Sequence, residues 1–247
     1  MMSLLHPDAF ISPLQIEDAV TRALAEDLGR AGDVTSIATV PETALGRALL
    51  VARKPGAIAG LPLVELTFRR LSPDIEITAS ARDGQAVAAR TTLMTIKGSA
   101  RAILGAERTA LNFLGHLSGI ASATAEYVRR VAHTKTRIIC TRKTTPGLRA
   151  LEKYAIRCGG GFNHRFGLDD AILIKDNHIV AAGDVRTALR CARANAGHLV
   201  KIEVEVDSLE QLADALQEKP DVVLLDNMLP ATSRPTPRYR PTRQREL

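Results

Sequence analysis

The chain has no tryptophan, and only 3% of its 247 residues are aromatic. Its core must therefore be filled mostly by Ala, Leu, Val and Ile. Cysteine is also scarce. Cys140, Cys158 and Cys191 are odd in number and follow no metal-ligand spacing, which excludes a disulfide framework and a cysteine zinc site. Buried free thiols in a reducing cytoplasm are expected instead. No run of about 18 apolar residues occurs, so no membrane-spanning segment is expected. The opening MMSLLHPDAF lacks the charged start and long apolar stretch of a signal peptide. There is no P-loop and no nucleophile with a partnered base.

Charge of one sign is not a property of the body. The formal net charge is +6, but residues 229–247 (LPATSRPTPRYRPTRQREL) hold five Arg and one Glu. That tail carries +4 of the total and leaves +2 for the rest. The basic balance therefore says little about a nucleic-acid face. The tail has no periodicity and is expected to be disordered.

What is present divides into two textures. Residues 1–11 form an arm. Ser12-Pro13 starts a helix with Leu14, Ile16, Val20, Ala23, Leu24 and Leu28 on its apolar side, ended by Gly29. EDLGRAGDVTS is a polar loop with Glu26, Asp27 and Asp33, read as a solvated turn capped by Asp33 or as a charged lip near a substrate site. Residues 45–60 suggest strand–turn–strand about Pro55-Gly56, residues 61–71 a helix, and residues 74–80 and 92–98 two further strands joined through Asp83-Gly84. This half is expected to be an α+β domain over residues 1–100. Residues 101–132 suggest two helices back to back, interrupted at Ser118-Gly119. The Gly159-Gly160-Gly161 run is expected to stop a helix.

From Arg137 the pattern is regular. Strands at 137–141, 171–175, 199–206 and 221–225 alternate with helices at 147–158, 184–195 and 208–217, which predicts right-handed βαβ units and a parallel sheet over 101–228. Each strand delivers charge near its C-terminal end: Arg142 and Lys143, then Lys175 with His178, then Glu203 and Glu205, then Asp226. Lys201, Glu203 and Glu205 share one face by the period of two, and Ile202, Val204 and Val206 take the other. Side chains at the C-terminal ends of parallel strands are where such folds put chemistry. The cations Arg142, Lys143, Arg165 and Lys175, with His164, suit an anion of more than one charge. The facing carboxylates suit Mg²⁺ or a developing positive charge. Together these suggest phosphoribosyl transfer. Arg108, beside Glu107, has the look of a paired surface residue.

Long motifs carry a resemblance. EDLGRAGDVTS, ERTALNFLGHLSGIA, TRKTTPGLRALEKYA, GGGFNHRFGLDDAILIKDNH, EVEVDSLEQL and VVLLDN resemble the quinolinate phosphoribosyltransferase family over residues 10–228. The resemblance implies an N-terminal α/β sandwich followed by an open α/β barrel of the type II phosphoribosyltransferase kind. It implies a cytoplasmic homodimer whose active sites are shared between subunits. Quinolinate would lie against Arg142, His164, Arg165 and Lys175, with Arg108 entering from the partner chain. Lys143, Glu205 and Asp226 would serve phosphoribosyl pyrophosphate and its Mg²⁺, and Glu203 would be the weaker carboxylate. After Met228-Leu229 the family's further βα units and Gly-rich phosphate loops find no match, which predicts an incomplete barrel, an open sheet edge and a truncated or frameshifted chain. An anion-binding remnant or dimer partner without turnover, and a paralogue acting on another heterocyclic carboxylate, are the other readings.

Overall fold

A computed structural model describes residues 11–229. The tail from residue 230 onwards, and with it the expectation of disorder and of a shifted frame, lies outside the described residues. The described chain separates into two compact units, the first reaching Phe166 and the second beginning at Gly167.

The first unit opens on α1 (Pro13–Leu28), which buries Ile16, Ala19, Val20 and Leu24. Proline stands at the first helical position, where its missing N–H costs nothing, and the backbone turns out at Gly29 with φ 53°. The Ser12 carbonyl accepts the first helical bonds from Gln15 and Ile16, but its hydroxyl makes no capping bond. Leu14, expected on the apolar side, is 79% exposed. Asp33 does cap: its carboxylate accepts the Ser36 N–H at 3.0 Å and starts the short α2 (Val34–Thr39).

β1 (Leu45–Val51) and β2 (Gly56–Ala57) flank a bend, as the expected strand–turn–strand requires, but they do not pair with each other. β1 pairs antiparallel with β5 (Thr92–Ser99), which also pairs with β3 (Glu76–Ala79), while β2 pairs with β4 (Ala86–Val87). The reason is α3 (Leu61–Leu71). It buries Leu61, Val64 and Phe68 against Met94 and Ile96 of β5 and Ile103, Ala106 and Ala110 of the next helix. Each such fully buried side chain contributes roughly 1.5–3 kcal/mol.

That next helix is a correction. Residues 100–131 are one helix, α4 (Ala100–Val131), 32 residues long, not two. Ser118 and Ser122, one turn apart, face the extended segment before α3. Ala59 N donates to Ser118 Oγ at 3.1 Å, and Ala57 N donates to Ser122 Oγ at 2.9 Å. The serines interrupt nothing because their hydroxyls satisfy a neighbouring chain rather than competing with the helix backbone. α5 (Arg149–Cys158) then packs Leu151, Tyr154, Ala155 and Cys158 into a core shared with α1 and with Leu117 and Ala121 of α4.

The second unit holds a parallel sheet in the order β6 (Ile172–Ile174), β7 (Ile202–Val206), β8 (Val222–Leu225). The connecting helices are α6 (Asp176–Ala182), α7 (Val185–Asn195) and α8 (Leu209–Gln217). Ile202, Val204 and Val206 are buried and Glu203 and Glu205 half-buried, as the period of two predicts. β8 flanks only β7 among the described residues and leaves Val222, Leu224 and Leu225 exposed.

Candidate active site

The expected strand at 137–141 is reduced to one parallel bridge, Ile139 with Phe162. Cys140 N donates to the Phe162 carbonyl at 3.0 Å and Phe162 N to the Ile138 carbonyl at 2.8 Å. A run of three apolar residues is too short to extend the ladder, and Ile139 is 55% exposed. The bridge nevertheless does what a strand end would. It sets two arms side by side, 140–145 carrying Arg142 and Lys143, and 162–166 carrying His164 and Arg165. The guanidinium groups of Arg137 and Arg157 each stand 4.6 Å from the centre of the Phe162 ring, a cation–π arrangement that holds the second arm.

On the first arm, Lys143 is exposed, and its backbone N–H is held by Thr141 Oγ1 at 3.1 Å. Arg142 is half-buried, and its Nε–H is buried with no hydrogen-bond partner among the described residues. A buried charged donor left open is costly, and such a group calls for a partner. A cavity of about 340 Å³ lies beneath this arm, lined by Cys140, Thr141, Lys143, Thr144, Glu152 and Lys153.

Glu152 and Lys153 were not foreseen from the sequence. A charged pair in a short amphipathic helix is ordinarily a solvated face, yet both are buried, Lys153 to 1% exposure. Together with Tyr154 they anchor three different segments. The Glu152 carboxylate accepts the Thr145 N–H at 3.1 Å and faces His116 Nε2 on α4 at 2.9 Å. Burial works to raise its pKa, but these bonds outweigh burial and hold the carboxyl below its ordinary value. Lys153 Nζ donates to the His164 carbonyl and to Cys140 Sγ, both at 3.0 Å. Tyr154 OH donates to Asp83 at 2.7 Å. Asp83, expected in an ordinary turn, is fully buried and also accepts the Gly60 and Leu61 N–H groups at the start of α3. Burial, then the Asp83 charge, drives the Tyr154 hydroxyl far above its usual pKa.

Arg108 is exposed on α4, and among the described residues no ion pair joins it to Glu107. Asn112 and His116 follow it at intervals of four and share its face.

In the second unit, Lys175 follows β6, Glu205 sits near the end of β7 and Asp226 follows β8, all at the C-terminal edge of the parallel sheet. Lys175 Nζ lies 3.1 Å from Glu205 Oε2. Asp226 is pinned through its N–H to the Val206 carbonyl at 2.9 Å, and its carboxylate accepts from Asn227 Nδ2 at 2.7 Å. His178 has a different task from the expected one: its Nδ1 accepts the Lys175 backbone N–H at 3.0 Å and caps α6. Lys201 leaves the Glu203–Glu205 face and pairs with Asp221 at 2.7 Å, at the opposite edge of the sheet.

Two family models match the chain, the quinolinate phosphoribosyl transferase N-terminal domain over residues 33–118 and the C-terminal domain over residues 120–246. The chain is 46% identical over 227 residues to a probable nicotinate-nucleotide pyrophosphorylase [carboxylating] of Synechocystis sp., covering 92% of this chain and 75% of that protein.

The chain belongs to the quinolinate phosphoribosyltransferase family.

The family's nicotinate-nucleotide pyrophosphorylase [carboxylating] of Mycobacterium leprae is 48% identical over 212 residues, covering 85% of this chain and 74% of its own. The crystal structure of NadC from Streptococcus pyogenes superposes with a TM-score of 0.86 at 41% identity, over 90% of this chain and 78% of that one. The quinolinate phosphoribosyltransferase fold is accordingly the two-domain α/β fold of the type II phosphoribosyltransferases, of whose barrel the described residues hold three parallel strands and the bridge at Ile139. The two family models meet inside α4, which begins where the sequence placed a domain boundary.

Proposed function

We propose that this chain transfers the phosphoribosyl group of phosphoribosyl pyrophosphate to quinolinate, releasing pyrophosphate and CO₂ and giving nicotinate mononucleotide for NAD synthesis. The observation that carries the proposal is the buried, unpartnered Nε of Arg142, on an arm bridged to the His164–Arg165 arm. A planar dicarboxylate supplies the acceptors that such a guanidinium lacks, and Arg grips a carboxylate through two parallel bonds.

On the first unit, Arg142, His164 and Arg165 take the carboxylates of quinolinate, and Lys143 serves the diphosphate. Arg108 is contributed to the site of a second copy in a homodimer. On the second unit, Lys175 is a further cation suited to a carboxylate, and Glu205 and Asp226 serve the ribose and its metal. Three clustered His, Cys, Asp or Glu side chains are absent among the described residues, so no protein-only cage exists there. Two carboxylates fit Mg²⁺ that arrives with diphosphate oxygens and keeps its waters; bound in that way, it would neutralise charge on the leaving group. The bond from C1 of the ribose to the pyrophosphate oxygen breaks, its electron pair leaving with pyrophosphate. Glu205 and Asp226 stabilise the oxocarbenium character that develops, and the pyridine nitrogen lone pair forms the new bond to C1. The ring is now a pyridinium. It accepts the electron pair of the C2–carboxylate bond as CO₂ departs, and C2 then takes a proton from water. No covalent nucleophile is needed; positioning and charge carry the rate.

No helix among the described residues is long and apolar enough to cross a membrane. The free thiols Cys140, Cys158 and Cys191 accord with a reducing cytoplasm.

The test is pyrophosphate release and CO₂ evolution by the purified chain with quinolinate, phosphoribosyl pyrophosphate and Mg²⁺. Stoichiometric release of both products is expected. Quinolinate binding without release of either would show an anion-binding remnant, and turnover of nicotinate in its place would show a paralogue.

A further inference from the structure

Lys153 stands out among the groups that the reaction above does not use. Lysine is rarely fully buried unless paired, and this one is at 1% exposure. Its Nζ stands over the Phe166 ring, 5.0 Å from the ring centre. The ammonium has three donors. Two of them reach Cys140 Sγ and the His164 carbonyl, one on each arm of the dicarboxylate half. The sulfur is itself a node: it accepts the His164 N–H at 3.4 Å and donates to Asn163 Oδ1 at 3.5 Å. Among the described residues no carboxylate lies within ion-pair distance of Nζ. Neighbouring Glu152 is committed elsewhere, to Thr145 and His116. The charge is thus buried beside neutral partners at the floor of the cavity that Lys143 also lines.

We infer that Lys153 is a positioning residue for quinolinate. Its ammonium clamps the Arg142–Lys143 arm to the His164–Arg165 arm through Cys140 and the His164 carbonyl. Its charge, without an ion-pair partner among the described residues, adds to the field that draws the dicarboxylate. A purely architectural lysine would be paired with a carboxylate or replaceable by an apolar side chain of similar volume. This clamp depends on a donor that can serve two segments at once, which no apolar side chain supplies. The inference rests on the proposed function for its substrate, but the clamp itself can be tested without turnover.

The deciding variant is Lys153→Met, which keeps the volume of the stem and removes the charge and the donors. Steady-state kinetics with each substrate varied in turn should show kcat/KM for quinolinate falling about 10²-fold, the scale of loss that misplaced binding groups produce. The KM for phosphoribosyl pyrophosphate should rise by a smaller factor, because of its contacts with the loosened arms only Lys143 is involved. Amide hydrogen exchange should quicken at residues 138–145 and 162–166, with α1 and β5 keeping their protection. Wild-type kinetics in Lys153→Met would overturn the inference. So would equal losses toward both substrates accompanied by exchange rising uniformly, because that is the signature of general destabilisation. If Lys153→Met does not fold, Cys140→Ala, which removes only the sulfur node, decides by the same split. If the wild-type chain turns over neither substrate, the functional proposal fails. The exchange comparison still decides whether Lys153 holds the arms.

Discussion

Arg142 and Glu205 are the two side chains whose surroundings say most about what is missing around them. Arg142 has a buried donor with no acceptor among the described residues. Glu205 is half-buried and answers Lys175 at 3.1 Å, a pair that binding of two charged substrates would have to share. Glu205→Gln keeps the shape and removes the charge that stabilises the oxocarbenium. Turnover should fall by about 10²–10³ with little change in thermal stability, measured as pyrophosphate release beside a melting curve. Lys143→Ala, at an exposed position, should do the same. Wild-type-like turnover in either variant would remove these residues from the mechanism. The thiols separate as clearly. Burial, followed by the Asp83 charge, pushes the Cys158 thiol up to about 12, whereas Cys191 is exposed. At pH 8, iodoacetamide should alkylate Cys191 in the native chain and reach Cys158 only after unfolding, as read by mass spectrometry of the peptides.

At the scale of elements, α4 and the end of α5 approach each other closely. A Cβ on Gly159 would stand 2.4 Å from the Ala121 carbonyl oxygen and 2.6 Å from Thr124 Cβ. Gly159→Ala should therefore cost about 1–3 kcal/mol, the scale of overpacking in a rigid contact, and a urea midpoint equal to wild type would refute this. The glycine run was legible as a helix stop, and Gly160 does take φ +81°, but its second task, admitting α4, leaves no trace in local pattern. The parallel strands were legible because Ile202, Val204 and Val206 alternate with charge. Serine and glycine side by side signal a break in α4 when the segment Ala57–Ala59, whose N–H groups those serines accept, is unseen. The motif TRKTTPGLRALEKYA was legible as the anion-binding element, while the burial of Glu152 and Lys153 was not. Nothing in the order of residues distinguishes a charged pair that faces solvent from one that ties two loops. Glu152 also makes a pH prediction. Its folded pKa lies below the ordinary 4.5, so its contribution to stability is present above that value and is lost as pH falls through the lower, folded pKa. Between about pH 5 and pH 3, wild type should lose stability more steeply than Glu152→Gln in parallel denaturant titrations.

For the whole molecule, the exposed Arg108 on a 32-residue helix makes the homodimer testable. If Arg108 completes a neighbour's site, Arg108→Ala and Lys143→Ala chains are each inactive alone. Random mixing then places one intact site in half of the dimers and should restore roughly a quarter of wild-type activity. No recovery after verified exchange of subunits would show that each site is built from one chain. α5 adds a constraint of a different kind. Glu152, Lys153 and Tyr154 are consecutive, so their side chains leave the axis about 100° apart, and each is fastened outside the helix: Glu152 to Thr145 and His116, Lys153 to Cys140 and His164, Tyr154 to Asp83. The helix is therefore fixed in phase as well as in place. Inserting or deleting one residue within it would swing all three fastenings away together, and no sliding along the axis could restore them. The segment should then acquire its structure in a single step, as one cooperative unit in hydrogen exchange. Lineages that vary the lengths of their surface loops should leave the residue count between Arg149 and Cys158 untouched.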